Sequence, residues 1–452
     1  MSAQPASTDL RLSISYRQIL SIALPISFSI FVPQINFITN NIFLGRLGET
    51  SLAAAGITGV YYLIFAVIGQ GLNNGLQAMI SRRAGQNKNE DTGRLFAQGL
   101  YLSLALGLAG IAITWLLAPL ALKASLRDPD MVNTCVHFLK IRIFGLPFLY
   151  VYQMRNALLV GTNQSRYLVW GTAAETITNI GLDYCLIYGK LGLPALGFNG
   201  AAVASVIAEA TGMMVVFAVI EWNGISKQLH LYKDLRWHPA LAGSLLTQSA
   251  PLVFQYAISI FSWEYFYILI EHYGTRDLAV SNTMRNIFGL FGVFTWAFAA
   301  TTNTMVSNII GQGRSDEVEK LIRRIVRLSI SVSTCLAVLL NLFPGFFLQF
   351  YGQDEAFRAA AIPVIRVISV ALLLMSVGTI WLNAVTGTGK TRINLLIEMI
   401  TISFYSLYVY LVLHVYRLPI TIGWMSEWLY WTLMFSMAFM YIRSGRWRGK
   451  QI

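Results

Sequence analysis

The side chains most able to do chemistry in this chain are carboxylates and amides that interrupt strongly apolar stretches. Glu175, Asn179 and Asp183 follow one another at intervals of four residues within one such stretch. Because an α-helix has 3.6 residues per turn, this spacing places the three side chains on one helical face. An ionisable residue in hydrocarbon costs about 2.5–3.5 kcal/mol, so these residues are expected to face a protein interior. A carboxylate in such a semi-dry cavity can exchange protons or bind Na⁺.

Further polar residues of the first half could line the same cavity, and they are Asn36, Asn40, Gln153, Asn156, Ser205 and Glu209. Two interpretations are open. Asp183 could bind an ion, with Asn179, Asn40 and Ser205 as hydrogen-bond partners. Alternatively, the polar residues could form a satisfied structural network in which Asp183 only accepts hydrogen bonds. Glu175 could equally form an ion pair with Arg155.

A second polar group lies in the seventh and eighth apolar stretches, and its members are Glu264, Ser259, Gln255, Tyr256, Trp263 and Asn286. Glu264 is flanked by aromatic residues, 13 positions beyond Pro251. Aromatic ring faces attract cations and a carboxylate supplies charge, so the group could bind a lipophilic cation. The alternative is a salt bridge between Glu264 and Arg285.

The elements that must position these residues are membrane-spanning helices, because 56% of the 452 residues are apolar and 12% are charged. Windows of about 20 apolar residues, enough to cross a bilayer, recur along the chain. The predicted spans are 18–44, 51–80, 95–120, 132–160, 167–188, 200–220, 241–270, 278–309, 325–343, 359–385, 393–416 and 422–442. We therefore predict an all-α integral membrane protein with twelve transmembrane helices in two pseudo-symmetric six-helix bundles.

The two bundles are predicted from a sequence repeat at an offset of 226 residues. Pro25 returns as Pro251, and "GTNQSR" at 161–166 returns as "GTGKTR" at 387–392. The predicted lobes are residues 1–226 and 227–452. Because each half holds an even number of spans, the copies run in the same direction through the membrane. The two prolines remove an amide donor inside spans one and seven, so they could bend these helices for lobe movement, or they could be ordinary kinks.

The distribution of Lys and Arg predicts the orientation of the chain. The net charge of +12 could suggest a nucleic-acid partner, but the cations fall in alternate loops. With the N-terminus inside, 21 cations lie inside, including the tail from Arg443 to Lys450, seven lie outside and five lie within spans, which accounts for all 33. Both termini are thus predicted in the cytoplasm, with the protein in the inner membrane among lipids and no nucleic-acid partner.

No pattern in the sequence predicts a metal, a cofactor or a catalytic centre. Cys135, Cys185 and Cys335 are far apart and are expected to be packing residues, and the five histidines lack ligand spacing. "AVTGTGKT" at 384–391 matches a loose phosphate-binding loop, but apolar spans surround it and its repeat partner lacks the Lys. We expect no enzymatic activity, since neither clustered metal ligands nor a nucleophile with a base is present.

With the repeat, the spans and the turns in place, the chain resembles the multidrug and toxic compound extrusion (MATE) family of secondary transporters nearly from end to end. The motifs that carry the resemblance are "ALP…NNIFLGRLGETSLAAAG" (23–56), "GQNKNED" (85–91), the paired turns, and "NIGLDYCLIYGKLGLPALGFNGAAVAS" (179–205). The resemblance implies two six-helix bundles that alternate between inward-open and outward-open states. It also implies export of amphipathic cations in exchange for H⁺ or Na⁺.

The resemblance assigns roles to individual residues. Asn179 and Asp183 match the Asn and Asp of the amino-terminal cavity that the family uses for cation coupling, and Glu264 matches an acidic residue of the seventh helix. Two positions depart from the family pattern: Asn40 stands where an Asp is usual, and Ser259 stands where many members have Glu. An amide does not take up a proton, so coupling through Asp183 would proceed without a carboxylate in helix one.

Together these features predict a secondary active antiporter that exports a flat or bulky organic cation in exchange for H⁺ or Na⁺. A lipid-linked oligosaccharide or polysaccharide flippase of the same superfamily is the alternative. It would need a basic cavity, whereas acids outnumber Arg155 and Arg285 within the spans. A non-transporting membrane scaffold is a further alternative. We expect no cofactor and a monomeric protein.

Overall fold

Helices make up all of the regular structure in residues 9–349 and 355–449, the ranges that the computed structural model describes. In the first half they are α1 (Tyr16–Gly45), α2 (Glu49–Gly85), α3 (Asn89–Ser125), α4 (Pro129–Arg142), α5 (Leu146–Gly161), α6 (Leu168–Tyr188), α7 (Phe198–Trp222) and the short α8 (Ile225–Gln228). In the second half they are α9 (Pro239–Glu271), α10 (Thr275–Gly311), α11 (Val318–Leu342), α12 (Pro344–Leu348), α13 (Glu355–Gly387), α14 (Thr391–Val409), α15 (Ile420–Trp424) and α16 (Ser426–Arg443). Lys450, counted among the cytoplasmic cations, lies outside the described residues.

Each predicted span corresponds to helical structure, which confirms the predicted fold class. Nine helical stretches within the described ranges are long and apolar enough to cross a membrane. The other three predicted spans are α6, α10 and α16, with 21, 37 and 18 residues. Polar residues, such as Glu175 and Asp183 in α6 and Glu427 in α16, lower the hydropathy of these helices.

One predicted span of the first unit is interrupted. Residues 132–160 were expected as a single helix, but a 3₁₀ turn at Ile143–Gly145 separates α4 from α5. Pro147 causes the interruption, because it has no amide hydrogen to donate to the carbonyl of Ile143 four residues earlier. The turn also brings Gly145 against α7, where a β-carbon on Gly145 would lie 2.0 Å from a carboxylate oxygen of Glu209.

The chain forms two compact units whose borders differ from those of the sequence repeat. The first unit contains Leu24–Ser249 and the described residues up to Leu10, and the second contains Arg11–Ala23 together with the chain from Ala250 onward. The predicted division at 226/227 follows the repeat, whereas the compact units divide inside α1 and α9, one residue before Pro25 and Pro251. These two borders within helices therefore lie where a proline removes a helical hydrogen bond.

Apolar packing fills the interior of each unit. A cluster in the first unit includes Cys135, Leu139 and Ala201, while a larger cluster in the second unit includes Tyr405 and Trp424. Cys135 and Cys185 are buried, as expected of packing residues. The expectation is wrong for Cys335, which is exposed, because α11 turns that face away from the bundle.

The connection that precedes α9 is held against α3 within the first unit. Gln98 donates to the carbonyl of Arg236 at 2.9 Å, and Tyr101 donates to the carbonyl of Leu235 at 2.6 Å. Asp234 forms an ion pair with Arg94, with 3.0 Å between Oδ2 and Nε. The amide of Arg236 donates to Asp234, and this bond, together with His238 and Arg94, lowers the pKa of the Asp234 carboxyl below its ordinary value.

We expect the connection at residues 225–238 to loosen in acid. A carboxyl group with a lowered folded-state pKa adds stability above its unfolded pKa of about 3.9, and loses it as the pH falls through the folded value. Hydrogen exchange of residues 225–238, normalised to intrinsic rates, should therefore accelerate below about pH 4. Asp234→Asn should show the fast exchange already at neutral pH, whereas the exposed control Asp316→Asn should not. Equal exchange in Asp234→Asn and wild type at neutral pH would contradict this role.

Candidate functional site

Three helices of the first unit meet at Asn179. The side-chain amide of Asn36 on α1 donates to Asn179 Oδ1 at 2.6 Å. The amide of Asn179 on α6 then donates to the hydroxyl oxygen of Ser205 on α7 at 3.4 Å. Asn179 is 3% exposed, so these bonds form away from solvent. Three members of the predicted polar group are thus brought together across α1, α6 and α7.

Asp183 lies one turn beyond Asn179 and is completely buried. Neither of its carboxylate oxygens has a hydrogen-bond partner in the described ranges, so the predicted bonds to Asn179, Asn40 and Ser205 are absent. Asn179 and Asp183 project from the same face of α6, and the amide of Asn179 is directed to α1 and α7. A buried carboxylate without donors is strongly disfavoured as an anion unless a proton or a cation binds to it. This favours ion binding over a satisfied structural network.

Other predicted residues of this group also present unpartnered oxygens. Within the described residues, buried side-chain oxygens without a hydrogen-bond donor belong to Asn36, Asn40, Gln153 and Asn156. Amide and carboxylate oxygens are the atoms to which hard cations bind. The donor set of the first unit therefore suits a proton or a small hard cation.

Glu209 belongs to a buried ion pair that was not predicted. Arg142 Nη2 and Nη1 lie 2.6 and 2.9 Å from the two carboxylate oxygens of Glu209, a bidentate arrangement. The Tyr62 hydroxyl accepts from Arg142 at 3.0 Å, and the Arg142 guanidinium lies 3.8 Å from the centre of the Tyr62 ring. The charge of Glu209 is thereby neutralised. Arg142 could have been noticed as a cation inside the predicted span 132–160.

The predicted pair of Glu175 with Arg155 is wrong. Arg155 Nη1 instead donates to the carbonyl of Met213 on α7, and its guanidinium lies 4.8 Å from the centre of the Phe217 ring. No ion pair joins Glu175 to a cation in the part of the chain that the structure describes. Glu175 packs against Gly212, where the absence of a side chain leaves space for it.

In the second unit, Glu264 forms a salt bridge with Arg285, which was the alternative to a site for a lipophilic cation. Its carboxylate lies 3.7 Å from Arg285, and both side chains are about two-fifths exposed. The Arg285 guanidinium lies 5.2 Å from the ring centres of both Trp263 and Tyr267. The aromatic faces that could have attracted a ligand cation thus already contact Arg285. Asn286 is exposed and Tyr256 is partly buried.

Two buried acids of the second unit were missed. Glu398 on α14 accepts from the Ser259 hydroxyl at 2.6 Å, the Tyr430 hydroxyl at 2.5 Å and the Gln255 amide at 3.3 Å. A carboxylate therefore lies beside Ser259, the position at which the resemblance implies an acid. The signal was present in the sequence, because Glu398 is a lone acid in the apolar span 393–416.

The other missed acid is Glu427, in the span 422–442. Its two carboxylate oxygens accept from the indole N–H groups of Trp263 at 3.1 Å and Trp431 at 3.0 Å. Glu427 is 4% exposed and Glu398 is 1% exposed. Neither forms an ion pair within the described ranges. Each is therefore held by neutral hydrogen-bond donors.

Repeated helical bundles that cross the membrane and carry buried, uncompensated acids define a polytopic membrane protein of the transporter class. The MatE family model matches residues 25–185 and 251–411 of the chain. The protein belongs to this family of transporters, as the sequence motifs predicted. The two matched segments differ by 226 residues at both ends, which confirms the repeat.

Relatives of known name cover most of the chain. A probable multidrug resistance protein NorM from Thermotoga maritima is 21% identical over 393 residues, which covers 85% of this chain and 83% of the relative. A probable multidrug resistance protein NorM from Synechocystis sp. is 25% identical over 345 residues, covering 75% and 72% of the two chains.

Solved structures share the fold at low sequence identity. A multidrug resistance MATE family transporter of the MOP superfamily, in an outward-facing conformation, superposes with a TM-score of 0.88 at 17% identity over 98% of each chain. A MOP superfamily transporter from Pyrococcus furiosus, for which a reversed polarity of the binding pocket suggests a different function, gives the same TM-score and identity over 98% of this chain and 99% of its own. At this identity the likeness demonstrates the fold alone.

The Arg142–Glu209 pair leads to a stability prediction. Arg142→Met leaves a buried carboxylate unpaired, so we expect a loss of about 3–5 kcal/mol in the free energy of unfolding. Replacing both partners, Arg142→Met with Glu209→Met, should recover most of that loss, because no uncompensated charge remains. Thermal and denaturant unfolding of the purified protein in detergent would measure both variants.

A matched control is Arg94→Met, which removes an arginine from the partly exposed pair with Asp234 and should cost about 0–1 kcal/mol. The structural role of the buried pair would be refuted if the double variant were as unstable as Arg142→Met alone.

Proposed function

We propose that the protein is a secondary active antiporter that exports organic cations in exchange for H⁺ or Na⁺ by alternating access. The observation that carries the proposal is the fully buried Asp183, whose two carboxylate oxygens have no hydrogen-bond partner in the described chain. The relatives named as multidrug resistance proteins and the MatE family membership support the exporter part. The ion-exchange part rests on Asp183 and the amides around it.

The proposed exchange follows from the cost of a buried charge. An anionic Asp183 is disfavoured without a counter-charge, so a proton or Na⁺ bound to it stabilises one state of the site. Asn179, on the same helix as Asp183, and Asn36, on α1, provide further oxygen and amide groups. When the ion leaves, the negative charge becomes available to a cationic substrate. Competition of the two cations for one carboxylate is the physical basis of antiport.

A cationic substrate is favoured by the balance of unpaired charges within the spans. Glu175, Asp183, Glu398 and Glu427 form no ion pair in the described residues. Three arginines within the spans are engaged, since Arg142 binds Glu209, Arg155 binds the Met213 carbonyl and Arg285 lies beside Glu264. This distribution supports export of organic cations over flipping of a lipid-linked saccharide.

The remaining features of the proposal concern location and assembly. We place the protein in the cytoplasmic membrane with both termini in the cytoplasm, because Lys and Arg are concentrated in alternate loops. One chain supplies both repeats of the bundle, so the proposed working unit is a monomer in contact with membrane lipid. The coupling ion and the organic cation are the proposed ligands, and no cofactor is assigned.

The test is export of a fluorescent organic cation from proteoliposomes under a pH gradient and, separately, under a Na⁺ gradient. Asp183→Asn should reduce gradient-driven export at least about 100-fold, because the amide keeps the shape of the side chain but cannot bind a proton. The gradient that drives the wild type identifies the ion. Asp130→Asn, the same change in an exposed residue, should transport like the wild type.

Two results would refute the proposal in different ways. Export by Asp183→Asn that still follows the imposed gradient would remove Asp183 from the coupling step. Absence of export by the folded wild type under either gradient would refute the exporter itself. Binding assays with saccharide-linked lipids would then test the flippase alternative.

A further inference from the structure

Glu398 is the most deeply buried acid of the second unit, and the proposed cycle does not yet use it. It is 1% exposed, and its hydrogen-bond partners come from two other helices, Gln255 and Ser259 from α9 and Tyr430 from α16. No cation pairs with it among the described residues. Removing an ionised carboxylate from water costs several kcal/mol, so the group must be stabilised by these donors or carry a proton.

The chemistry of these partners allows both protonation states. Hydroxyl, phenol and amide groups can each donate or accept a hydrogen bond, depending on how they rotate. Three donors can stabilise the carboxylate, and the same groups can turn to accept when the acid carries a proton. The hydrogen-bond partners of Glu398 can therefore stabilise both the ionised and the protonated carboxyl group.

An unsatisfied acceptor lies beside the carboxyl group. The Gln255 amide donates to Glu398 Oε2 through Nε2, but its own oxygen is buried and has no donor within the described ranges. A buried acceptor without a donor costs about 1–3 kcal/mol. A protonated Glu398 has the O–H group that this oxygen lacks. After a half-turn of the Gln255 amide, this oxygen takes the place of Nε2, 3.3 Å from Glu398 Oε2, and can accept that O–H group.

Glu427 provides a comparison within the same unit. Its partners Trp263 and Trp431 offer indole N–H groups, which donate but do not accept. Each carboxylate oxygen of Glu427 already has one donor, and neither indole can accept a hydrogen bond from a protonated carboxyl group. The two acids are buried alike and differ in whether their neighbours can adapt to protonation.

The titratable groups around Glu398 are few. On α16, Tyr430 contacts it directly and Glu427 lies three residues before Tyr430. On its own helix, the ring of Tyr405 packs 5.8 Å from the ring of Tyr430. On α9 the contacting residues, Gln255 and Ser259, are neutral. No arginine or lysine in this group competes with a proton for the carboxylate.

We propose that Glu398 is a second proton-exchange site of the transport cycle, with Gln255, Ser259 and Tyr430 as its hydrogen-bonding partners. Uptake forms an O–H bond on the carboxylate from a proton supplied by water, and release breaks that bond and returns the proton to water. A single unpartnered oxygen beside the carboxyl group suits a proton, whereas a hard metal cation needs several oxygen ligands. This role in transport rests on the proposed antiport function.

Protonation can be measured without transport. Infrared difference spectra of the purified protein between acidic and alkaline buffer should contain protonated-carboxyl C=O bands, one component of which Glu398→Gln removes. Glu427→Gln is the matched control, since it replaces an equally buried acid and should retain that component. Tyr430→Phe removes one donor to the carboxylate and should move the midpoint of that component to higher pH. Melting temperatures would show that all variants are folded.

Coupling is measured in proteoliposomes with an entrapped pH indicator, by counting protons moved per organic cation. Glu398→Gln should lower this count by about one, because one carboxyl group is lost from the cycle, and Glu427→Gln should leave it unchanged. A band insensitive to Glu398→Gln would overturn the proton site. An altered band with an unchanged proton count would overturn its role in transport. A wild type that moves no organic cation would refute the antiport function, yet the infrared result would still decide whether Glu398 binds a proton.

Discussion

The structure depends on one constraint, which is that an ionisable side chain removed from water must be paired, hydrogen-bonded or neutralised. The acids inside the helices meet it in different ways. Glu209 is paired with Arg142, Glu398 accepts from two hydroxyls and an amide, and Glu427 accepts from two indoles. Asp183 has none of these partners within the described chain. Asp183 therefore has the fewest stabilising contacts of these acids and would be stabilised most by a bound ion.

The two halves of the repeat share their helices but not the charged residues within them. At the offset of 226 residues, Asp183 corresponds to Val409 and Glu398 corresponds to Thr172. The buried pair is not repeated either, since Arg142 corresponds to Ile368 and Glu209 corresponds to Phe435. Apolar periodicity and the paired turns preserve two similar bundles, because those features determine where helices begin, end and pack. The polar positions have diverged, so each bundle has its own arrangement of charges.

This divergence explains which site residues could be anticipated. The polar face of α6 is visible in the sequence because Glu175, Asn179 and Asp183 are separated by single helical turns. The partners of isolated acids are not visible in this way. Arg142 and Glu209 are 67 positions apart, and Ser259 and Glu398 are 139 positions apart. Glu264, which drew attention through its aromatic neighbours, instead lies beside Arg285 and is about two-fifths exposed.

The sequence by itself determined the membrane-spanning helices, the repeat and the family, because these follow from local hydrophobicity, from spacing along one helix and from motifs within short segments. Only the tertiary structure decided which acid is neutralised, which is hydrogen-bonded and which has no partner. It also placed the borders of the compact units at Pro25 and Pro251 instead of at the middle of the chain. The physical reason is that the state of a buried charge depends on side chains from other helices, and their approach is set by packing.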